Sequence, residues 1–456
     1  MKNFSSQHWP SSLIYYCSLI FVGVITFACS TPGVVQKASI VLKGGAIYTI
    51  SPDQPQVEAV ALRDSIIIFA GLEKDLENYI GAETKVFDLN GKILTPGWIE
   101  GHGHFMGLGY SELNLDLSNT KSFDEIIKKV KASTNKTSAG NWIIGRGWHQ
   151  SKWTSQPQEI INGFPIHQAL STKSPDHPVV LFHASGHALF ANAKAMEIAG
   201  IGPLNQELGG KREITGGEVI RDRNGNPTGI FNENAMDLIS KHIPESSDEN
   251  DLLAFNLAQE ACLRNGITSF HDAGVGRETL AFYQKMEASG KLKIRMYAML
   301  NGNDNALLKE WYEKGPKTDP WLSIRSIKLS ADGALGSRGA WLLEEYSDRH
   351  GHYGHETIPM EMVFKTAINS IKYGFQLATH AIGDRANREV LDQYEKALSE
   401  ENALNADHRF RIEHAQHLHP DDIPRFASLG VIPSMQAIHL SSDRPWAIDR
   451  LGADRI

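Results

Sequence analysis

Apolar and polar residues alternate along the first part of the chain, from about residue 39 to residue 94. Turn-forming pairs such as Asn90-Gly91 interrupt the alternation at short intervals. A period of two residues is typical of β-strands that bury one face. The pattern therefore predicts a small β-rich module over residues 38–95.

After Pro96 the pattern changes to short apolar strands that alternate with helical segments. Ser122 and Glu125 in SFDEIIKKV form a capping-box pattern, which predicts the start of a helix. Pro359 and Gly374 bracket a second helical segment, PMEMVFKTAINSIKYG, and the apolar strand FQLATH follows directly. Strands and helices in alternation predict parallel βα units.

Seven apolar segments have the character of barrel strands. They occupy residues 97–105, 266–272, 293–300, 323–330, 375–380, 410–416 and 431–437. A (β/α)8 barrel has eight such strands, and the chain ends at Ile456 before an eighth is found. A long segment rich in turn residues, from about residue 119 to residue 244, separates the first two strands. We therefore predict an α/β, TIM-like barrel over residues 96–456, with this insertion and with the eighth strand missing.

The first 29 residues have the pattern of a targeting signal. Lys2 precedes an apolar run from Leu13 to Cys29, which has the length of a signal-peptide core and is too short for a spanning helix. Ala28 before Cys29 resembles a bacterial lipobox, although Thr26 stands where an aliphatic residue is usual. We expect residues 1–29 to be a signal peptide, Cys29 to be lipidated, and the protein to be periplasmic or attached to a bacterial membrane. A simple cleaved signal and an uncleaved anchor are the alternatives.

Composition limits the classes of partner. The 456 residues carry a net charge of −8 without a Lys- or Arg-rich block, so a nucleic acid is not an expected partner. If Cys29 is lipidated and Cys17 is removed, Cys262 remains as the last cysteine, and no disulfide can form within one chain. The sequence does not indicate an oligomeric state.

Several predicted strands end in a histidine. His102 and His104 are two residues apart on one strand, so their side chains point to the same face. His380 and His414 end two further strands, in THAIGD and IEHAQ. The carboxyl ends of barrel strands meet at one mouth, where active sites lie. A lone histidine is more often a hydrogen-bonded core residue than a ligand, but four at the same strand ends predict a transition-metal site.

Lys328 lies within the apolar strand SIRSIKLS, directly before a run of small loop-forming residues. A buried ammonium is unfavourable unless it is paired, neutralised or chemically converted. The residues alone leave open whether Lys328 is an ordinary lysine paired with Asp332 or Glu413, or a modified residue of the metal site.

The motifs TPGWIEGHGHF, IKLSADGALGSRGA, ATHAIGDRA and RIEHAQ resemble those of the amidohydrolase superfamily. The resemblance is specifically to its amidohydrolase-3 branch, which includes N-substituted formamide deformylase-like and exoenzyme-regulatory-like proteins. GRGWHQSKW, HASGHALFANAKAM and GITSFHDAG also resemble that branch, and the resemblance runs from about residue 39 to the last residue. It implies a (β/α)8 TIM-like barrel together with a small N-terminal β-sandwich module.

The resemblance also implies a binuclear site. In such enzymes the lysine is carboxylated and bridges two divalent metal ions, for which zinc is the expected element. His102 and His104 would bind one ion, His380 and His414 the other, and carboxylated Lys328 both. A metal-activated hydroxide would attack the C–N bond of a small amide or formamide, with Lys328 and His380 as catalytic residues.

The resemblance further implies an aspartate at the end of the eighth strand, which transfers a proton to the leaving nitrogen. Asp443 is not that residue, because no helix is predicted between it and the strand at 431–437. We therefore expect a C-terminally truncated family member that is inactive or nearly so and poorly stable.

The insertion adds Trp148, Trp153, His183 and His187, which could line a pocket for an apolar N-substituent. The two tryptophans could equally be packing residues of the insertion. Two other functions stay open: a catalytically silent binding protein displayed on the membrane, and a cyclic-amide or imidazolone-type hydrolase. We expect contact with the membrane only through the N-terminal signal or lipid anchor.

Overall fold

The computed structural model describes residues 36–203 and 214–456. The chain divides into two units, Met1–Pro96 and Gly97–Ile456. The predicted signal segment and the lipidation site at Cys29 lie outside the described residues. Within those residues, no helix is both long enough and apolar enough to cross a membrane.

The first unit is a four-stranded sheet beside one short 3-10 helix. Its core contains Val41, Ala59 and Ala61 from the strands and Leu76 from the helix. The sequence predicts part of a β-sandwich here, but in residues 36–96 a helix, rather than a second sheet, packs on this face. The helix is Glu73–Tyr79, and the strands, which pair in the order third, second, first, fourth, are Ile40–Tyr48, Gln56–Arg63, Ile66–Gly71 and Lys85–Asp88.

Seven parallel strands form the barrel of the second unit, and they pair in the order in which they occur along the chain. All seven predicted barrel strands are confirmed. Among the described residues, the first and the seventh strand each pair with one barrel neighbour only, so the TIM-like barrel is nearly closed. The strands are Trp98–Gly103, Ile267–Val275, Arg295–Asn301, Leu322–Ser330, Gln376–Ala381, Arg411–His414 and Ile432–Ser434.

Helices connect the barrel strands. The helix before the fifth strand begins after Pro359 and ends at Gly374, whose left-handed φ of 77° carries no steric penalty in glycine, as the sequence predicts. The chain can therefore turn directly from this helix into the strand. The barrel helices are Phe105–Leu113, Asp248–Arg264, Arg277–Ala288, Asn305–Lys314, Met360–Tyr373, Asp384–Glu400 and Ile423–Leu429, and the seventh strand is followed by Ile438–Ser442 and Arg444–Leu451.

The insertion between the first two barrel strands forms a mixed sheet of six strands. Ser122 Oγ accepts a hydrogen bond from the backbone N–H of Glu125, which confirms the predicted N-cap. The Glu125 carboxylate accepts from the backbone N–H of Lys121, one residue before the cap. The sheet order is Gly217–Arg221, Pro227–Glu233, Ala188–Ala191, Val179–His183, Ile143–Trp148 and Leu115–Asp116, and the helices are Phe123–Thr134, Gln168–Lys173, Ala193–Ile198 and Asp237–Ser240.

The helix Phe105–Leu113 starts directly after His104 and packs against the helix Asp248–Arg264. At their closest approach, a Cβ atom on Gly109 would overlap with the backbone carbonyl group of Ala254. Glycine is therefore required for the two helices to pack as they do. Because the first of them begins where the first barrel strand ends, this packing also helps to position His104.

We expect Gly109→Ala to lower the free energy of unfolding by about 1–3 kcal/mol, because the added methyl group forces the two helices apart. Gly276→Ala is the control, since a Cβ atom there meets no heavy atom within 4 Å. Urea unfolding followed by circular dichroism measures both variants. An unchanged stability of Gly109→Ala would contradict the close contact of these helices.

Candidate metal centre

Four histidine side chains meet at the carboxyl ends of the barrel strands. His102 lies on the first strand and His104 directly follows it, while His380 and His414 lie on the fifth and sixth strands. The ring centroids of His102 and His414 are 4.7 Å apart, and those of His380 and His414 are 4.5 Å apart. The rings of His102 and His104 are 5.8 Å apart. The structure therefore brings all four predicted histidines together.

Three of these imidazoles are held by Nδ1 alone. Among the described residues, Nε2 of each has no hydrogen-bond partner, whereas Nδ1 lies within hydrogen-bond distance of an oxygen. Metal-ligating histidines typically have this arrangement, in which a partner on one nitrogen orients the other toward the ion. The pairs are His102 with Glu413 Oε2 at 2.5 Å, His104 with the Ala273 carbonyl oxygen at 3.0 Å, and His414 with Gln436 Oε1 at 2.6 Å.

His380 is held by its other nitrogen. Its Nε2 lies 3.3 Å from Asp332 Oδ1 and 3.4 Å from the carbonyl oxygen of Gly333, and its Nδ1 has no partner in the described part of the chain. Burial raises the pKa of Asp332 to about 7, although three backbone N–H groups donate to its carboxylate. His380 is therefore fixed in orientation and keeps one nitrogen free.

Burial keeps three of the histidines neutral. It lowers the pKa of His104 to about 4 and the pKa values of His380 and His414 well below the ordinary value. Neighbouring positive charges, including Lys328, act in the same direction. Neutral imidazole is the form that binds a metal ion, so burial prepares these rings for that role.

Lys328 lies on the fourth strand within the same site. Its ammonium donates to the carbonyl oxygen of Leu329 at 2.9 Å, and it forms no ion pair with any described carboxylate. The two possible partners of Lys328 bind other residues. Asp332 is paired with His380, and Glu413 is paired with Arg411 and His102. Burial lowers the pKa of Lys328 to about 8. The structure therefore does not contain an ion pair of Lys328 with Asp332 or Glu413, which was the alternative to a modified lysine.

No three His, Cys, Asp or Glu side chains in residues 36–203 and 214–456 are arranged to hold one metal ion between them. The predicted centre requires no such trio, because it assigns two imidazoles to each ion and uses Lys328 as the shared ligand. The free ring nitrogens are the observation on which the fit of a metal rests. Neutral nitrogen donors of this kind suit a transition-metal ion.

A buried ion pair lies next to the histidines. Arg411 donates to both carboxylate oxygens of Glu413, at 2.6 and 2.9 Å. Burial alone would raise the pKa of Glu413, but the hydrogen bond to His102 and the charge of Arg411 outweigh it and lower that pKa to about 2. Glu413 therefore stays ionised and holds the His102 ring. In the sequence Glu413 directly precedes the predicted ligand His414, but its role in holding the His102 ring was not identified there.

The insertion contributes a fifth histidine. Nδ1 of His187 lies 2.7 Å from Oε2 of Glu233, and its ring centroid lies 5.0 Å from that of His380. Burial would lower the pKa of His187, but the charge of Glu233 outweighs it and raises that pKa. The sequence analysis includes His187 and misses Glu233, because the two are 46 positions apart and no local motif links them.

The other three insertion residues do not line the site. Trp148 and Trp153 are at most 7% exposed, with ring centroids 6.2 Å apart in the core of the insertion. His183 is fully buried and lies between Gln150 and Ser185, with which its two ring nitrogens form hydrogen bonds. This placement supports the packing interpretation of the tryptophans. Of the four predicted substrate-binding residues, His187 alone faces the cavity described next.

A cavity of about 320 Å³ lies beside the centre. The barrel contributes His414 to its wall, and the insertion contributes His149 and His187. Trp446 and Asp443, which follow the seventh strand, complete the wall. Barrel, insertion and this last segment of the described chain therefore enclose the space next to the predicted ligands.

Asp443 is held in that wall by Gln416 Nε2 at 2.9 Å and His439 Nδ1 at 3.0 Å. The short helix Ile438–Ser442 stands between the seventh strand and Asp443, so the expectation that no helix separates them is wrong. Its 5 residues are too few for a helical period to show in the sequence. Asp443 begins the helix Arg444–Leu451 rather than ending a strand, so it is still not an eighth-strand aspartate.

Comparison with known proteins gives the family. The sequence model of a protein family, described as the amidohydrolase family, matches residues 85–456. The chain belongs to the amidohydrolase family. This amidohydrolase is 31% identical over 441 residues to Protein LONG AFTER FAR-RED 3 of Arabidopsis thaliana, with 94% of this chain and 73% of that protein covered. It is 25% identical over 410 residues to N-substituted formamide deformylase of Arthrobacter pascens, with 87% and 72% covered.

A solved structure agrees with this assignment. The crystal structure of an uncharacterized metal-dependent hydrolase from Pyrococcus horikoshii has 27% sequence identity and a TM-score of 0.67, with 91% of this chain and 78% of that chain covered. The family resemblance inferred from the motifs is therefore confirmed. Family membership and this likeness support hydrolase activity and the use of a divalent metal by this amidohydrolase.

Asp272 joins the second barrel strand to the segment that follows His104. Its Oδ1 accepts a hydrogen bond from the backbone N–H of Phe105 at 2.9 Å, and its Oδ2 accepts from the hydroxyl of Tyr283 at 2.6 Å. Burial raises the pKa of Asp272 to about 6, although both hydrogen bonds oppose this change. This amidohydrolase therefore contains a buried carboxyl group that binds a proton near neutral pH.

We expect Asp272 to make stability depend on pH. Its pKa is about 6 in the folded protein and about 3.9 in an unfolded chain, so the folded state binds the proton first as the pH falls. Relative to Asp272→Asn, the wild type should gain roughly 2–3 kcal/mol of unfolding free energy between about pH 7 and pH 4. Urea unfolding at a series of pH values measures this gain. Asp53→Asn, at an exposed aspartate, is the control, and a pH-independent difference for Asp272→Asn would contradict the prediction.

Proposed function

We propose that this protein is a metal-dependent hydrolase that cleaves C–N bonds of the amide or formamide type in small molecules. The observation that carries the proposal is the cluster of four histidines at the strand ends, each held by one ring nitrogen with the other free. Structural histidines in a protein interior normally engage their polar atoms. Four free nitrogens in one site therefore favour a bound cation.

The proposed ligand set follows from the positions of the side chains. His102 and His104 would hold one divalent ion and His380 and His414 a second, with Lys328, carboxylated by CO2, as the shared anionic ligand. Zinc is the expected element because the donors are mainly neutral imidazoles. When bound, the ions would supply Lewis acidity toward the substrate carbonyl group and lower the pKa of a water molecule.

The chain's own residues orient the donors and form the wall beside them. Arg411 fixes the ionised Glu413, which in turn holds the ring of His102. His187 and Trp446 line the cavity next to the histidines. The remaining volume of about 320 Å³ suits a small molecule and not a folded protein substrate.

The type of bond is inferred from the family. The relative from Arthrobacter pascens is named N-substituted formamide deformylase, which supports a C–N bond of the formamide or amide type as the target. A cyclic-amide hydrolase would use the same ligands, and a silent binding protein would keep the cavity without turnover. Metal content and a substrate panel separate these three functions.

The first test combines metal analysis with hydrolysis assays. The zinc-loaded protein is offered N-substituted formamides, linear amides and cyclic amides, and release of amine or formate is measured. We expect about two zinc ions per chain and slow turnover of a formamide or linear amide, because no eighth barrel strand with a proton-transferring aspartate occurs in the described residues. His104→Asn and His380→Asn should each lower turnover on the order of 10³-fold, because a lost ligand removes Lewis acidity of several kcal/mol.

His350→Asn is the control for these variants, because the His350 side chain is 86% exposed. Turnover that survives complete chelation would contradict a metal-dependent reaction. Full zinc occupancy without turnover of any compound would favour the binding protein, and turnover of cyclic amides alone would favour the third function.

Lys328 provides a separate test of the bridging ligand. We expect protein prepared with isotopically labelled bicarbonate to give a carbamate carbon resonance in NMR, because Lys328 has no carboxylate partner to hold it as an ammonium. Lys328→Met should lose both the resonance and most of the bound metal. Lys365→Met, at an exposed lysine of a barrel helix, is the control. Two tightly bound metal ions without a carbamate resonance would exclude this ligand.

A further inference from the structure

One partly buried arginine of the insertion has no partner. The side chain of Arg146, on the strand Ile143–Trp148, forms no hydrogen bond or ion pair with any described residue. Burial lowers its pKa, and no carboxylate opposes this effect. The arginines that are buried in the described part of the second unit are engaged by carboxylates: Arg338 and Arg450 by Asp348, and Arg411 by Glu413.

Arg146 lines a cavity of about 950 Å³. Ile144 and Arg146 lie on one face of their strand, because alternate residues of a strand point to the same side, and Trp142, which directly precedes the strand, lies in the same lining. Phe182, from the neighbouring strand, extends this wall, and Tyr110, from the helix after His104, lies in the same lining. The cavity is therefore largely aromatic and aliphatic around a single guanidinium.

The guanidinium also lies close to the metal centre. A Cβ atom placed on Gly186 would be 3.4 Å from Nη2 of Arg146, and Gly186 directly precedes His187 in the wall of the smaller cavity. The charge of Arg146 also contributes to the lowered pKa of His104. Arg146 therefore lies in the wall of the larger cavity and close enough to His104 for its charge to act there, although none of the predicted ligands lines that cavity.

The guanidinium of Arg146 is partly desolvated and has no protein partner among the described residues, while its nitrogens keep some contact with solvent. A bound anion would replace the interactions with water that partial burial removes. The planar fork of a guanidinium binds a carboxylate through two parallel hydrogen bonds. Among the described lining residues Arg146 is the only cation, which suits a singly charged carboxylate better than a phosphate dianion. Glu245 is the only acid in this lining and forms no ion pair with Arg146, so the anion would bind at the Arg146 end.

We propose that Arg146 is a specificity-determining residue that anchors a carboxylate on the apolar part of the substrate, while the C–N bond lies at the metal centre. The substrate class is then an amide or formamide whose aromatic or aliphatic body carries a carboxylate. This assignment of the substrate rests on the proposed function, but the carboxylate site itself can be measured without turnover.

The test is a binding measurement with two probes of the same shape. Benzoate and its neutral isostere benzamide are titrated calorimetrically into the full chain, both metal-free and zinc-loaded. We expect benzoate to bind at least roughly 10-fold more tightly than benzamide in the metal-free protein, as a charge-assisted pair would give. Equal affinities, or benzoate binding that requires zinc, would overturn the proposal.

Two variants identify the residue. Arg146→Met keeps the length of the side chain and should weaken benzoate binding roughly 10- to 100-fold while leaving benzamide binding unchanged. Arg146→Lys should lose part of this affinity, because an ammonium lacks the planar fork. Arg264→Met, at an exposed arginine of a barrel helix, is the matched control and should change nothing.

Thermal unfolding separates recognition from a structural role. Removal of a partly buried charge that has no partner among the described residues should leave the melting temperature of Arg146→Met unchanged or raise it. A marked fall in the melting temperature together with loss of benzamide binding would assign Arg146 to the structure and overturn the proposal. A protein that binds benzoate through Arg146 but hydrolyses no amide would contradict the proposed reaction and leave the carboxylate site in place.

Discussion

The guanidinium of Arg411 forms the interaction on which the arrangement of the candidate metal centre depends. From the sixth strand it binds both oxygens of Glu413, and it also donates to the carbonyl oxygen of Gly101 on the first strand at 2.8 Å. It reaches Ser434 Oγ on the seventh strand at 2.7 Å and His271 Nδ1 on the second at 3.1 Å. One side chain thus links four strands. Among them are the first and the seventh strand, which do not pair with each other in the described barrel. Arginine can do this because its planar head carries five donors.

The same interaction helps to determine the orientation of the histidine rings that are the proposed metal ligands. An isolated carboxylate in the interior would be too costly to remain ionised, but Arg411 keeps Glu413 charged, and Glu413 then occupies Nδ1 of His102. A backbone carbonyl holds His104, an amide oxygen holds His414, and Asp332 lies against His380. Each ring is therefore fixed through one nitrogen before any ion binds. A buried ion pair seldom adds stability by itself; here it helps to fix the geometry of a site.

The sequence predicted the parts of this arrangement that depend on local pattern. Buried parallel strands are short apolar runs between helices, so all seven were recognisable, and their register placed His102, His104, His380 and His414 at one mouth. It did not reveal which ring nitrogen is free, because the partner of each ring comes from a distant element. The helix Ile438–Ser442 was missed because it is shorter than two turns. Glu233 was missed because it acts through contacts between elements and carries no motif of its own. Arg146 lies in the quoted motif GRGWHQSKW, but its role was missed because the motif does not show that its side chain lacks a partner in the described chain.

The barrel and the insertion contribute different kinds of residue to the candidate site. The barrel residues of the centre belong to short motifs at strand ends, where the hydrogen-bonded sheet holds them rigidly. The insertion supplies His187, which directly follows the turn at Gly186, and Arg146, whose guanidinium lies next to that turn. The φ of 79° at Gly186 is readily adopted by glycine. A change in the strand bearing Arg146 would alter the wall of the larger cavity without moving a barrel histidine, because no hydrogen bond joins its side chain to those rings within the described residues. The proposed metal ligation and the proposed substrate recognition therefore rest on separate parts of this fold, and under this proposal a change in the insertion would alter substrate preference.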